Sequence, residues 1–307
     1  MTGLAEIARA LGGQVMGRQV VAPGPGHSRR DRSLSVRLSE GSPDGFLVHS
    51  HAGDDWRLCR DHVAAALGLA PGRHRQQPDP AEAVNRETAR RRAEARDRAE
   101  EERRQRRAVA LWLEAQDPRD TIVQTYLASR HLELPDELAG EVLRFHPACP
   151  WGEETAPAMV AALRCIRTGR VVGIHRTALT ADGQKLGRRM LGTAAGAAVM
   201  LDGLDTVTAG LTVGEGIESC MAARQFGIRP TWALGSTSAI TAFPVLPGIE
   251  ALSLLAERDE TGASDRACQA VGTRWRAAGR AVDLILPRAG KDMNDALRAL
   301  REGMAWA

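Results

Sequence analysis

From residue 206 onward, short apolar runs alternate with longer stretches of helical spacing, and three of the runs end in carboxylates. The runs are TAGLTVGEG, PTWALGS, IEALSLLAERDETG and RAVDLILP; between and after them come IESCMAARQFG, ASDRACQAVGTRWRAAG and KDMNDALRALREG. Strands of this length separated by helices read as βα units, which build a parallel sheet. Ligands of such sheets sit beyond the carboxyl ends of the strands. Those ends carry Glu215 after LTVG, Glu257 and Asp259 after LSLLA, and Asp292 and Asp295 after LILPRAGK. Carboxylates gathered at one sheet edge repel each other unless a cation neutralises them. Hard oxygen ligands around an open site suit Mg²⁺, or Mn²⁺, which can bridge phosphate oxygens and activate an attacking oxygen. Gly214 and Gly216 flank Glu215 and permit close backbone approach to a ligand.

Three further segments precede this one. Residues 1–72 combine a short helix, Leu4 to Leu11, with strand candidates SLSVRL at 33–38 and GFLVHSH at 45–51, then a helix from Asp61 to Leu69. PGRHRQQPDP at 71–80 reads as a linker, and residues 73–114 together form a linker and charged helix. That helix is rich in Arg, Glu and Ala, with Glu87/Arg91 and Glu94/Arg98 placed acid-first at i,i+4, as on a solvated face. It is expected to be an exposed spacer; the alternative is a basic arm on nucleic acid phosphates. Residues 115–205 are mixed, and LRCIRTGRVVGIHRTALTADGQKLGRRML at 163–191 reads as strand, turn, strand, turn.

Composition excludes several classes. The 307 residues hold no apolar run of the roughly 18–20 needed to span a bilayer. MTGLAEIARALGG lacks the basic start and apolar core of a signal peptide. Five dispersed Cys without a CxxC pair fit a reducing cytoplasm, where the chain is expected to work. With aromatics at 4%, the core must be aliphatic and a dense base-stacking platform is not expected. The net charge of +3 decides little, but only Lys185 and Lys291 among the 41 basic residues are lysines. In an Arg-biased chain a retained Lys hints that an ammonium is needed there.

VGEGIES, ERDETG and GKDMND, separated by βα spacing, resemble the Toprim domain of bacterial-type primases, type IA and II topoisomerases, OLD-type nucleases and recombination proteins. The resemblance implies a Rossmann-like domain over 206–307, with Glu215 in proton transfer at the reacting oxygen. Glu257 and Asp259 fall on the family's Asp-x-Asp metal pair. Lys291, Asp292 and Asn294 fall on a Lys-Asp-x-Asp motif, with Asp295 adjacent, which implies Lys291 as a catalytic group beside Glu215 and Asp292 and Asp295 as metal ligands. Two positions depart from the family: Glu257 is one methylene longer than Asp, and Asn294 replaces an acid. The single Tyr126 and the short chain argue against a topoisomerase, and no GxxxxGK[ST] motif accompanies either lysine.

The remaining chain resembles compact primase-like proteins of phages, plasmids and integrated elements. In these an α+β primase core with a basic face precedes the Toprim domain, here over 115–205. The likeness of GRVVGIHRTALTADGQKLGRRMLG implies that Arg176 and Lys185, with Arg188 and Arg189 nearby, contact nucleotide phosphates or template. Residues 1–72 resemble, distantly, the small zinc-ribbon domain that opens such primases. His27 and the following strand are kept, but Gly24 stands at the first Cys position and His49 and His51 lie where Cys-x2-Cys belongs. A structural zinc needs four N or S ligands, so a metal-free remnant is expected, with His27, His49 and His51 as its trace. The implied function is Mg²⁺-dependent primer synthesis on single-stranded DNA from nucleoside triphosphates, beside a separate helicase and away from membranes. A Toprim nuclease and an inactive DNA-binding module that recruits a helicase are the alternatives.

Overall fold

A computed structural model describes residues 3–42, 44–69 and 80–303. The linker expected at 71–80 lies outside the described residues except for Pro80, which opens a helix. The chain divides into two units, residues 1–99 and 100–307.

In the first unit, α1 (Leu4–Leu11) precedes a four-stranded antiparallel sheet of β1 (Gln14–Met16), β2 (Gln19–Ala22), β3 (Leu34–Leu38) and β4 (Phe46–Ser50), in that spatial order. Leu4, Ile7, Ala8 and Leu11 recur at helical spacing, so α1 lays one apolar stripe on Val20, Leu34, Val36 and Phe46. α2 (Trp56–Ala66) adds Cys59 and Val63 to the same core. It starts five residues before the expected Asp61, because the Asp55 side chain accepts from Arg57 N and caps the helix there.

The three histidines of the expected metal-site remnant are engaged elsewhere. His27 lies between Asp31, 3.0 Å from Nδ1, and Asp54, 3.2 Å from Nε2. Hydrogen bonds to Asp31 and the nearby Asp54 charge raise its pKa. His49 and His51 meet ring edge to face at 4.6 Å, and His51 Nε2 lies 3.0 Å from Ser35 Oγ.

α3 (Pro80–Glu114) carries the expected Glu87–Arg91 pair at 2.7 Å, and Glu94 pairs with Arg90 at 3.1 Å. Its last turns are no exposed spacer. Ala108, Leu111 and Trp112 are buried against Cys149, Ala158, Val160 and Ile174 of the second unit's sheet.

After α4 (Ile122–Ala128), the second unit forms an antiparallel group of β5 (Leu143–Trp151), β6 (Glu154–Cys165), β7 (Val171–Leu179) and β8 (Lys185–Gly192). β9 (Ala197–Met200) then leads to the alternating region: β10 (Gly210–Gly214), α5 (Ile217–Gln225), β11 (Thr231–Ala233), α6 (Thr237–Ala242), β12 (Ala251–Leu255), α7 (Ala263–Ala277), β13 (Ala281–Ile285) and α8 (Met293–Arg301). The strands β13, β12, β10 and β11 run parallel, as the βα pattern requires.

The boundary expected at 205/206 is not a break in the sheet. β9 pairs antiparallel with β6 through Arg164↔Ala198 and with β11 through Trp232↔Met200, so nine strands form one sheet ordered β13-β12-β10-β11-β9-β6-β7-β8, with β5 beside β6. One core likewise runs across the boundary, joining Tyr126, Leu127, Met159 and Leu179 to Ile217, Met221, Leu255 and Leu297. Its sequence signal is weak, since LGTAAGAAVM is rich in Gly and Ala and has no alternation.

Asp202, two residues past β9, locks this joint. Its buried carboxylate accepts from Arg224 Nε at 3.1 Å, Arg229 Nε at 2.8 Å and Thr231 N at 2.8 Å, while its carbonyl accepts from Trp232 Nε1 at 2.8 Å. Asp202→Ala would leave Glu137, at 2.9 Å, as the remaining partner of the buried Arg224 and would strip the Thr231 N–H of its acceptor. It is expected to lower the unfolding free energy by about 1–3 kcal/mol, measured as a reduced urea midpoint.

Candidate active site

Each acid at the sheet edge is set by the turn that follows its strand. Glu215 leaves β10 between two glycines. A Cβ on Gly214 would lie 2.8 Å from Cys220 Sγ and 3.1 Å from Leu255 Cδ1, so only Gly lets α5 turn this tightly over the sheet. Glu257 leaves β12, and its backbone N–H donates to Ser264 Oγ in α7 at 2.9 Å. Asp292 caps α8 by accepting from Asn294 N and Asp295 N at 2.8 and 2.9 Å. Arg258 N donates to Lys291 O at 2.8 Å, tying the loops after β12 and β13 together.

Three carboxylates converge. Burial pushes Glu257 up to about 7, with further upward pressure from the charges of Glu215 and Asp292. Asp292 is also raised, first by burial. The other two acids are turned to local work. Asp259 Oδ1 accepts from Thr261 N and Ala263 N and Oδ2 from Ser264 N; with the Thr261 hydroxyl these bonds hold its pKa well below the carboxylate range. Asp295 Oδ2 accepts from Lys291 N at 2.9 Å. Gly290 has φ +71, and a Cβ there would lie 2.2 Å from Asp295 Cβ, so this loop can close only on Gly. The Lys291 side chain itself is exposed.

The four cations expected on the basic face divide between its two sides. Alternate residues of a strand face opposite ways. Arg188 pairs across the ladder with Thr177, and its Nη2 lies 2.9 Å from Glu215 Oε1. Lys185 Nζ lies 2.6 Å from Glu218 Oε1. Arg176 and Arg189 pair with each other in register and therefore share the opposite side. There they flank the Trp151 ring at 5.9 and 4.6 Å, and Arg176 Nη1 donates to Pro150 O at 2.6 Å.

Three polar residues that sequence reasoning missed complete the acid-facing side. Glu218, in the first turn of α5, is buried and takes hydrogen bonds from both Lys185 and the Tyr126 hydroxyl. Burial alone would raise its pKa; the Lys185 ammonium and the two hydrogen bonds outweigh that and hold it at about 2. Burial, then the Glu218 charge, pushes the Tyr126 phenol well up, so it stays a donor. His175 is lowered to about 4 by burial, and its Nδ1 has no hydrogen-bond partner. The available signal for Glu218 was its spacing, three residues after Glu215 in GEGIES.

Asn294, where the family pattern has an acid, is fully buried. Its amide donates to Arg130 O at 2.9 Å and accepts from Arg130 Nη1 at 3.1 Å.

Among the described residues, no three His, Cys, Asp or Glu side chains already surround one point as a metal-ligand set. Mg²⁺ does not need such a cage, since it commonly keeps waters and takes one or two carboxylates plus substrate phosphates. Glu257, half-buried near Glu215 and Asp292, fits that role through its hard oxygens and a local negative charge that Arg188 only partly offsets.

Residues 210–302 match the Toprim domain model, and this part of the chain is a Toprim domain. Residues 102–201 match a domain of unknown function, DUF7146. No curated protein matches the chain. Among solved structures it is similar to a DNA primase domain from Pseudomonas aeruginosa (17% identity over 59% of this chain and 68% of that one, TM-score 0.43). It is also similar to a DnaG primase catalytic domain bound to ssDNA (16% identity, 67% and 77% covered, TM-score 0.48). A third is the zinc-binding and RNA polymerase domains of the Aquifex aeolicus primase (12% identity, 98% and 82% covered, TM-score 0.39).

Glu257 makes the site pH-dependent. A carboxyl raised in the folded state contributes stability that is present at low pH and lost as pH rises through about 7. In metal-free buffer the melting temperature is expected to fall as Glu257 ionises. Added Mg²⁺ should raise it more above that pH than below, and Glu257→Gln should flatten both trends, as read by calorimetry.

Proposed function

We propose that the chain is a primase-like nucleotidyltransferase that joins nucleoside triphosphates into short primers on single-stranded DNA. One juxtaposition carries the reading: the Toprim acids Glu215, Glu257 and Asp292 stand at the ends of β10, β12 and β13, and from β8 Arg188 meets Glu215 while Lys185 meets the neighbouring Glu218. Polyanionic substrates need cations opposite a metal-binding edge. Glu257 and Asp292 are the residues that would hold Mg²⁺, which when bound neutralises phosphate charge and lowers the pKa of an oxygen it touches. Glu215 accepts the proton of the attacking 3′ hydroxyl. Arg188 lies on Glu215 in the present geometry and is the nearest guanidinium for incoming phosphates. Lys291, exposed beside Asp292, adds a second ammonium at the rim. Arg189, exposed on the opposite side against Trp151, offers a cation to template further from the acids, while Arg176 is buried there on Pro150 O. A separate helicase partner and a role in phage or mobile-element replication belong to the same reading and rest on the sequence resemblance alone.

A second reading is a DNA-binding module without turnover. It is favoured by Asp259, whose two oxygens are both committed to its own loop.

The test is incorporation of labelled nucleotides on single-stranded DNA with Mg²⁺ or Mn²⁺, comparing the native chain with Glu215→Gln. The expected result is short template-dependent products, reduced about 10²–10⁴-fold in the variant. Shortening of the DNA without synthesis would replace the reading with a nuclease, and binding without either would leave the module.

A further inference from the structure

Glu218 lies among the carboxylates without belonging to them. A Cβ built on Gly216 would be 3.8 Å from Glu218 Oε2 and equally 3.8 Å from Glu257 Oε1, so the two acids approach the same turn. Yet Glu218 is the one whose charge is already matched. Its Oε1 accepts from Lys185 Nζ of β8 at 2.6 Å and from the Tyr126 hydroxyl of α4. Three elements, two of them outside the Toprim domain, therefore meet on a single oxygen.

A lysine reaches through four flexible methylenes and follows the strongest nearby field. Unrestrained, the Lys185 ammonium would be free to move toward the gathered acids, where Glu257 is only partly relieved by the Arg188 charge and the Gly216 N–H. Glu218 offers a competing charge that is rigid and oriented. It sits in the first turn of a helix, and the Tyr126 hydroxyl fixes its carboxylate from the other side. Buried His175, neutral at ordinary pH on the same side of the sheet, adds no repulsion. An ammonium has three donors, and one is directed to Glu218. The Lys185 side chain keeps 27% of its surface exposed, against 11% for Glu218, so its remaining donors are open to solvent.

We propose that Glu218 is a positioning residue: it holds Lys185 off Glu215, Glu257 and Asp292 and presents its free N–H groups to the phosphates of a bound nucleotide. This rests on the nucleotidyl-transfer reading for its ligand, but its test does not need synthesis. The chain has only two lysines, so amine labelling read by mass spectrometry resolves Lys185 from exposed Lys291, which is the reference without nucleotide, while an added peptide amine is the reference with Mg²⁺–ATP. In the native chain Lys185 should label about tenfold more slowly than Lys291, the scale of one charge-assisted hydrogen bond. Mg²⁺–ATP should slow Lys185 further. Glu218→Gln should speed Lys185 labelling by a similar factor, leave Lys291 unchanged and abolish the protection by Mg²⁺–ATP. Glu218→Asp keeps the buried charge balanced if the amide variant fails to fold; it should keep labelling slow while weakening protection, because the shorter arm draws the ammonium inward.

A folded Glu218→Gln or Glu218→Asp chain with native protection would overturn the proposal, as would a native Lys185 that Mg²⁺–ATP does not protect. Absence of primer synthesis with protection and its dependence on Glu218 intact would sink the primase reading alone.

Discussion

Four residues of β9 hold the antiparallel and parallel halves of the second unit in one register. Because β9 bonds β6 on one edge and β11 on the other, the cations of β8 and the acids that follow β10, β12 and β13 belong to a single sheet. A hinge at this point would let the two sets drift apart, and an ångström of drift is costly for groups that act on the same atoms. The joint is short, however: only Ala197, Ala198, Val199 and Met200. Asp202 supplies what the strand lacks. Its carboxylate gathers Arg224 from α5, Arg229 and the Thr231 amide. The strand that bridges the sheet and the helix that carries Glu218 are thus fixed to one another by the same buried charge.

The period of two along β7 and β8 sorts the basic residues as strictly as the turns sort the acidic ones. Arg176 and Arg189 support Trp151 on one side; Lys185 and Arg188 meet carboxylates on the other. Among the acids, Asp259 and Asp295 stabilise loops, Asp292 caps a helix with one oxygen, and Glu215 and Glu218 have basic partners. Glu257 and Asp292 are left as carboxylates whose ionisation burial resists, and the Glu257 pKa of about 7 expresses that imbalance. A longer side chain than Asp suits this place. The extra methylene brings the carboxylate from the end of β12 to the Gly216 turn.

Much of this was legible in the sequence. The alternation after residue 206 gave four strands and three of the helices near their observed bounds, and the acid-bearing motifs led to the Toprim domain matched over 210–302. What stayed hidden depended on distance in the chain. β9 has no alternation because all four of its residues are buried, so nothing in LGTAAGAAVM distinguishes it from a loop. Tyr126 has meaning only through Glu218, 92 residues away. The cations of GRVVGIHRTALTADGQKLGRRMLG were visible as a group, but their division required the register, and a bulge between Ala178 and Leu179 shifts Lys185 within it.

The departure at Asn294 bears on whether the site has decayed. An acid there would be expected at the metal edge, and its loss reads from sequence as erosion. In the fold, residue 294 is fully buried against Arg130, which follows α4, and it both donates to Arg130 O and accepts from the Arg130 guanidinium. An ionised carboxylate can only accept. Asp at this position would satisfy the guanidinium but leave the Arg130 carbonyl without its donor in the core, a cost of about 1–3 kcal/mol. The amide is therefore the residue this packing requires, and it anchors α8, whose N-terminus carries Asp292, against the segment that carries Tyr126. The amide at 294 is accounted for by this packing, which also holds Asp292 at the N-terminus of α8.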